Sequence, residues 1–168
     1  MNGALEGIKV LDLTSYIAGP FATMLLGDLG AEIIKIEQPG SGDMFRRWDK
    51  EPKLYSPIFR SFNRNKKSVT LNLASIAGKK VFLSLAEKAD VIVENFRPGV
   101  VDRLGVNYEA MSAINSRIVY CSISAFGQSG PYKDNPGYDT VGQALSGLLS
   151  LLTDRRNPHG PGAPCSDH

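Results

Sequence analysis

A short apolar run, Val-Ile-Val at residues 91–93, constrains the fold of this chain more than any other feature. An uninterrupted β-branched run, without polar alternation, is typical of a strand buried on both faces of a parallel sheet. The run stops at Glu-Asn-Phe, residues 94–96, and Pro98 and Gly99 then break the chain before a helical pattern begins. Polar and aromatic groups therefore follow the carboxyl end of a buried strand, where open α/β sheets bind ligands.

Strand and helix patterns alternate along the whole chain. Strands are predicted at residues 8–13, 33–36, 68–73, 90–94 and 117–124. Helices are predicted from Pro20 to the stop at Gly30 and over residues 75–88, 107–114 and 138–152. This alternation predicts an α/β fold with a doubly wound, mostly parallel sheet, in one domain over residues 1–168.

Composition argues against several classes of protein. The 19 basic and 17 acidic residues give a net charge of +2, too balanced for a nucleic-acid surface. Cys121 and Cys165 form no C-x-x-C pair, so neither a zinc site nor a disulfide framework is expected. With no signal peptide and no apolar run near the roughly 20 residues that span a bilayer, we expect a cytoplasmic protein that binds no membrane.

Three segments together resemble one enzyme family. They are residues 11–37 (LDLTSYIAGPFATMLLGDLGAEIIKIE), 63–73 (NRNKKSVTLNL) and 89–105 (ADVIVENFRPGVVDRLG). In this order they resemble the family III CoA-transferases, which include formyl-CoA transferase and carnitine CoA-transferase, and the resemblance runs from Leu5 to His168. It implies a Rossmann-like domain that binds coenzyme A, with an acyl-CoA and a free carboxylic acid as substrates and no metal.

The resemblance also implies a longer protein. Family members are more than twice this length, so we expect this chain to be an N-terminal CoA-binding portion. The small second domain, the glycine-rich loop over the active site and the C-terminal return segment are expected to be absent from it. The full-length form is expected to be a homodimer of interlocked chains, and turnover by the 168 residues alone to be weak or absent.

The turn at residues 15–20 leads into the N-terminus of a helix, where free N–H groups suit a phosphate or thioester oxygen. From the residues alone an ordinary turn with a capping role is the stronger interpretation, and the resemblance adds Ile17 and Ala18 as coenzyme contacts. Glu37 ends the second strand as a ribose-binding acid does, but without G-x-G-x-x-G a nicotinamide dinucleotide is not supported.

A basic run at residues 60–67 carries four cations around Phe62. Cations suit the phosphates of CoA, although a solvated basic loop explains such a run equally well. The resemblance places Leu71 and Asn72 beside the adenosine of CoA. It also places Gln38 where the family often has a basic residue, so nearby cations are expected to take over that phosphate contact.

Asn95, Phe96, Arg97 and Arg103 form the third candidate contact with the coenzyme. Phe96 is suited to stacking on the adenine, and Arg103 to reaching a phosphate from the following helix. From the residues alone, a surface arginine paired with an acidic neighbour accounts equally well for Arg103. The resemblance, which matches through Asp-Arg-Leu-Gly, favours a ligand.

Asp167 is the catalytic residue that the resemblance implies, as the nucleophile that attacks the thioester. Without the resemblance, a lone aspartate there is an ordinary solvated charge. His159 and His168 with Cys165 do not support a Cys–His or metal site, because no helix fixes their spacing.

Tyr138, in Pro-Gly-Tyr-Asp, helps to choose among related enzymes. The related acyl-CoA racemases carry a histidine here that moves the α-proton, and a tyrosine, with a pKa of about 10, is a poor base. We therefore predict acyl transfer, with Tyr138 near the coenzyme. The alternatives are an acyl-CoA racemase or isomerase of the same superfamily and a catalytically inactive CoA-binding fragment.

Overall fold

The computed structural model describes residues 3–48 and 56–153. The chain divides into two compact units, residues 1–123 and 124–168. In its described part, the first unit holds a five-stranded sheet in the order β3-β2-β1-β4-β5. The strands are β1 (Lys9–Asp12), β2 (Glu32–Glu37), β3 (Lys66–Thr70), β4 (Val91–Glu94) and β5 (Val119–Ser122).

Every pair of neighbouring strands in this sheet is parallel. The predicted α/β, doubly wound fold is confirmed, and the described sheet is parallel throughout rather than mostly so. The chain runs outward from β1 through β2 to β3, then returns to place β4 on the other side of β1. The switch point of the sheet therefore lies between β1 and β4, where such folds bind ligands.

In the described residues of the first unit, helices and one 3-10 helix connect the strands. They are α1 (Ala18–Asp28), the 3-10 helix Met44–Arg47, α2 (Pro57–Phe62), α3 (Ile76–Ala86), α4 (Val100–Leu104) and α5 (Tyr108–Ile114). The predicted helix starts at Ser75 and Asn107 are confirmed. Ser75 Oγ accepts a hydrogen bond from the Gly78 N–H at 3.0 Å, and Asn107 Oδ1 accepts one from the Ala110 N–H at 3.1 Å.

The core confirms that the apolar run of β4 is buried on both faces. Ile92 belongs to one hydrophobic cluster with Leu11, and Val93 belongs to a second cluster with Val10. Neighbouring residues of a strand point to opposite faces, so β1 and β4 each contribute to both clusters. Helix α3 covers the first cluster with the fully buried Phe82.

Two predicted boundaries were wrong. β3 spans Lys66–Thr70 instead of residues 68–73, because its pairing with β2 begins at Lys66 and the chain turns after Leu71. The Leu71 N–H still donates to the Glu37 carbonyl at 2.9 Å. The segment 39–62, in which no helix or strand was predicted, contains the 3-10 helix and α2.

In the second unit, the predicted single helix over residues 138–152 is two short helices, α6 (Asp139–Leu145) and α7 (Leu148–Leu152). Gly147 between them has a φ of 80°, a left-handed conformation that no helix interior accommodates. Within the described ranges, no helix is long and apolar enough to cross a membrane.

Candidate active site

The turn after β1 and the end of β4 meet at the switch point. The Leu13 N–H donates to the Val93 carbonyl at 2.8 Å, which extends the β1–β4 pairing past the strand. Beyond it, Asn95 Oδ1 accepts from the Ser15 N–H at 2.9 Å and Asn95 Nδ2 donates to the Ser15 carbonyl at 2.8 Å. Two segments that the sequence singled out separately are therefore joined at one edge of the sheet.

The turn between β1 and α1 has an unusual backbone. Tyr16 has a φ of 68°, a conformation that side chains other than glycine seldom adopt. Gly19 lies against Thr14, and a Cβ at Gly19 would stand 2.4 Å from the Thr14 Cβ, so only glycine fits. Among the described residues, no side chain caps α1 at Ile17, so no side-chain hydrogen bond at the cap position occupies its first N–H groups.

A buried ion pair between Asp12 and Lys66 holds this turn in place. Asp12 is fully buried, and its Oδ2 accepts from Lys66 Nζ at 2.9 Å and from Thr23 Oγ1 at 2.8 Å. Its Oδ1 accepts from the Thr14 N–H at 2.9 Å. Lys66 Nζ also donates to the Pro20 carbonyl at 2.9 Å, which ties β3 to the first turn of α1.

A second buried pair lies beside the first. Lys35 Nζ stands 2.9 Å from Asp43 Oδ2, with the two side chains 1% and 0% exposed, and it donates to the Thr14 carbonyl at 2.7 Å. Burial would raise the pKa of Asp12, but the charges of Lys35 and Lys66 outweigh it and hold that pKa below its ordinary value. Burial lowers the pKa of Lys66 to about 8 against the opposing effect of Asp12.

Glu37 at the end of β2 is occupied by partners within the protein. Its two oxygens accept from Arg46 Nε at 2.7 Å and Nη2 at 2.6 Å, and Oε1 accepts from the Asp43 N–H at 2.8 Å. Burial alone would raise its pKa, but the hydrogen bonds from Arg46 and Ser68 lower it to about 2. Glu37 is thus a structural carboxylate and not a free acid for a ribose.

Acid should therefore destabilise the protein through Glu37. Its folded pKa of about 2 lies below its ordinary value of 4.5, so the unfolded chain binds more protons between these values. Its contribution, about 2–3 kcal/mol, is present above pH 4.5 and is lost as the pH falls toward 2. Urea unfolding should show Glu37→Gln less stable than wild type at pH 7 and nearly equal to it at the acid end. The exposed Glu6→Gln should match wild type at both, and a gap for Glu37→Gln that persists in acid would contradict this account.

The basic run at residues 60–67 is mostly engaged inside the protein. Lys66 is buried against Asp12, Arg64 pairs with Asp28, and Lys67 pairs with Glu32. The Lys67 pair is exposed, and such a pair can yield to a ligand. Three of the four cations of the run therefore have partners within the protein, and the Lys66 side chain is only 2% exposed.

The family profile for CoA-transferase family III matches residues 5–168. The chain belongs to this family. It is 46% identical to succinyl-CoA:glutarate CoA-transferase of Homo sapiens over 97% of the chain, which corresponds to 38% of that protein. It is also 46% identical to formyl-CoA:oxalate CoA-transferase of Streptomyces avermitilis over 89% of the chain and 36% of that protein.

Two solved structures share the fold over nearly the whole chain. A crystal structure of Rv3272 from M. tuberculosis matches 98% of the chain with a TM-score of 0.88 and 36% identity. A CAIB/BAIF family protein from Brucella suis also has a TM-score of 0.88, with 37% identity over 98% of the chain. The chain spans 46% and 45% of these two proteins and about 38% of the human relative.

In this family III chain, most of the predicted contact residues follow strand ends at one edge of the sheet, since the strands are parallel. Ile17 is half-buried and Ala18 exposed after β1, and Gln38 is exposed after β2. Leu71 and Asn72 follow β3, with Leu71 packed against the core and Asn72 exposed.

The remaining predicted site residues do not share one location in the fold. Phe96 packs partly against the core after β4, while Arg97 and Arg103 are exposed, the latter in α4. Tyr138 belongs to the second unit, where it precedes α6 and is 53% exposed. Asp167 lies outside the described residues, and its role stays a prediction.

Sequence reasoning missed the buried charges. Asp12 and Lys35 interrupt otherwise apolar strands, and a charge at such a position signals a buried partner. Glu94 is a third example, buried at the end of β4, with its Oε2 accepting from the Phe96 N–H at 2.8 Å. Burial raises the pKa of Glu94, although hydrogen bonds from Ser122 and from the Phe96 N–H oppose the rise.

Proposed function

We propose that this chain forms the coenzyme-binding part of an enzyme that transfers CoA from an acyl-CoA thioester to a free carboxylic acid. The observation that carries the proposal is the junction of the β1–α1 turn with Asn95 at the switch point, in a chain that matches family III over residues 5–168. The relatives are named for CoA transfer to glutarate and to oxalate, which supports a dicarboxylic or similar acid as acceptor.

CoA lies, in this proposal, along the carboxyl edge of the sheet. The first N–H groups of α1, near Ile17 and Ala18, receive the thioester end of the molecule. Leu71 and Asn72 lie beside the adenosine, and Phe96 stacks on the adenine. The exposed Arg97 and Arg103 reach the phosphates in place of the cation that Gln38 does not supply.

Replacing Arg103 with alanine should weaken CoA binding by about 1.5–3 kcal/mol, or roughly ten- to a hundredfold, because one charge-assisted phosphate contact is lost. Isothermal titration with CoA measures the change. Arg117→Ala is the matched control, because Arg117 is also an exposed arginine but stands before β5, at the opposite edge of the sheet. Equal affinities of wild type and Arg103→Ala would remove Arg103 from the site.

Asp167 is the proposed nucleophile. Its carboxylate attacks the thioester carbonyl, the C–S bond breaks, and an aspartyl anhydride and CoA thiolate form. The thiolate then attacks the aspartyl carbonyl, which releases the first acid and leaves an aspartyl-CoA thioester. The acceptor carboxylate attacks that thioester, whose C–S bond breaks to release the CoA thiolate and leave a second anhydride. The thiolate attacks the acceptor carbonyl of this anhydride, which gives the new acyl-CoA and frees the Asp167 carboxylate.

The tyrosine at position 138 favours acyl transfer over the alternative activity, racemisation. Moving an α-proton needs a base that is deprotonated near neutral pH, and a phenol with an ordinary pKa of about 10 does this poorly. The measurement that separates the two activities is the exchange of the α-proton of an acyl-CoA with D₂O. Acyl transfer without such exchange is expected, and exchange without transfer would favour the racemase.

Further proposals concern the whole protein, since the chain spans about 38% of its human relative. We place residues 1–168 in the CoA-binding domain of a cytoplasmic homodimer. The alternative, a CoA-binding part without turnover, is tested by comparing the 168 residues with the complete gene product. We expect both to bind CoA and only the complete product to transfer it.

A further inference from the structure

We infer that Asn95 is a positioning residue for the coenzyme site: its amide fixes the backbone of Ser15, and through it the turn at residues 16–18, instead of contacting CoA. The inference rests on the proposed CoA transfer and assigns the side chain a different role from that of a ligand. In this role Asn95 affects the rate of CoA transfer more than it affects the affinity for the coenzyme.

The geometry of the amide supports this role. Both of its polar atoms are used on one residue 80 positions away in sequence, with Oδ1 2.9 Å from the Ser15 nitrogen and Nδ2 2.8 Å from the Ser15 oxygen. These two bonds to the N–H and C=O of Ser15 resemble the backbone pairing between adjacent strands, at a point where β1 and β4 have already ended. Turning the amide toward a ligand would break both bonds and leave the polar groups of Ser15 without these partners.

The backbone of Thr14, the residue before Ser15, is also fixed by side chains. The Thr14 N–H donates to Asp12 Oδ1 at 2.9 Å, and the Thr14 carbonyl accepts from the buried Lys35 ammonium at 2.7 Å. The N–H and C=O groups of both residues before Tyr16 are therefore fixed by side chains from β1, β2 and the end of β4. Three elements of the sheet converge on two residues of one turn.

The conformation that this support maintains is that of Tyr16. Its φ of 68° is unfavourable for a residue with a side chain and persists only where the surroundings impose it. Because Ile17 and the first turn of α1 follow directly, the direction of their N–H groups depends on Tyr16 keeping this conformation. A relaxed Tyr16 would turn these groups away from the thioester and misplace it.

The test uses the complete gene product carrying Asn95→Ala. We expect kcat/KM to fall about a hundredfold, mostly in kcat, because the thioester is misplaced. The affinity for adenosine 3′,5′-bisphosphate, which lacks the thioester end, should stay within about twofold of wild type. A tenfold or larger loss of that affinity would show that Asn95 touches the nucleotide and would overturn the inference.

A second variant tests the link to Tyr16. Glycine adopts a positive φ without penalty, so in a Tyr16→Gly background the loss caused by Asn95→Ala should shrink to about tenfold or less. A loss equal in both backgrounds would contradict the coupling. Asn115→Ala is the matched control, because its amide donates to the Ala86 and Ala89 carbonyls at 3.1 and 2.8 Å. Asn115 precedes β5, at the amino edge, so kcat/KM should be unchanged.

Hydrogen exchange separates this inference from the proposed function. Asn95→Ala should speed the exchange of the amides of residues 15–18 with or without a ligand, and unchanged exchange would overturn the positioning role. A wild-type protein that neither binds CoA nor transfers it would overturn the proposed function and the role of the turn in binding a ligand. In that case the exchange data would still decide whether Asn95 fixes the backbone of the turn.

Discussion

Replacing Asp167 with alanine in the complete gene product should abolish acyl transfer while leaving CoA affinity nearly unchanged. The proposed carboxylate forms the covalent bond to the acyl group, whereas the nucleotide of CoA is held elsewhere. Asp167→Asn should also be inactive, because an amide does not form the anhydride at a useful rate. Steady-state transfer assays with isothermal titration of CoA measure the two effects separately.

Trapping identifies the residue that carries the acyl group. Hydroxylamine added during turnover should convert the peptide containing Asp167 to a hydroxamate, which mass spectrometry locates. Asp134→Ala, an exposed carboxylate of the second unit, is the control and should keep full activity. Substantial transfer by Asp167→Ala, or a label on Asp139 or Glu94 instead, would remove Asp167 from this role.

Asp12→Ala should lower the free energy of unfolding by about 3–5 kcal/mol, because it leaves the buried Lys66 ammonium without its carboxylate. The Lys66 and Asp12 side chains are only 2% and 0% exposed, so water cannot replace the lost partner. Urea unfolding at neutral pH measures the change. The first turn of α1 should loosen as well, since Lys66 also contacts the Pro20 carbonyl.

The adjacent lysine provides the matched control. Lys67, also in β3, pairs with Glu32 of β2, but these side chains are 71% and 37% exposed. Glu32→Ala should therefore cost no more than about 1 kcal/mol. Similar losses for Asp12→Ala and Glu32→Ala would contradict the importance of the buried pair. If Asp12→Ala does not fold, the double variant Asp12→Asn with Lys66→Met should, because neither buried charge remains.

Acid and base should act on different parts of this network. Because the pKa values of Asp12 and Glu37 are lowered, these carboxylates stabilise the fold fully only at a pH above their ordinary pKa values. Both contributions to stability therefore weaken in acid. The lowered pKa of Lys66, about 8, acts in the same sense but in a basic pH range, since the unfolded chain again holds the proton more firmly. Stability that depends on Lys66 should therefore rise between pH 8 and its ordinary pKa of 10.5.

Much of the fold was predictable because its signals are local. The apolar run of β4, the caps at Ser75 and Asn107 and the strand–helix alternation each depend on a few neighbouring residues. Where the prediction was wrong, tertiary contacts decided the outcome. β3 begins at Lys66 because β2 pairs with it there, and Gly147 divides a helix that apolar spacing had made continuous.

The sequence by itself determined the parallel α/β fold, the family and the sheet edge at which the candidate site lies, because hydrophobic period and chain breaks are properties of short segments. Only the tertiary structure decided which charged and polar groups are free to bind. Lys66 and Lys67 are neighbours of the same type, yet one is buried against a partner 54 positions away and the other is exposed. The contact between the Asn95 amide and the Ser15 backbone was likewise not visible in the sequence, because pairing depends on residues that only folding brings together.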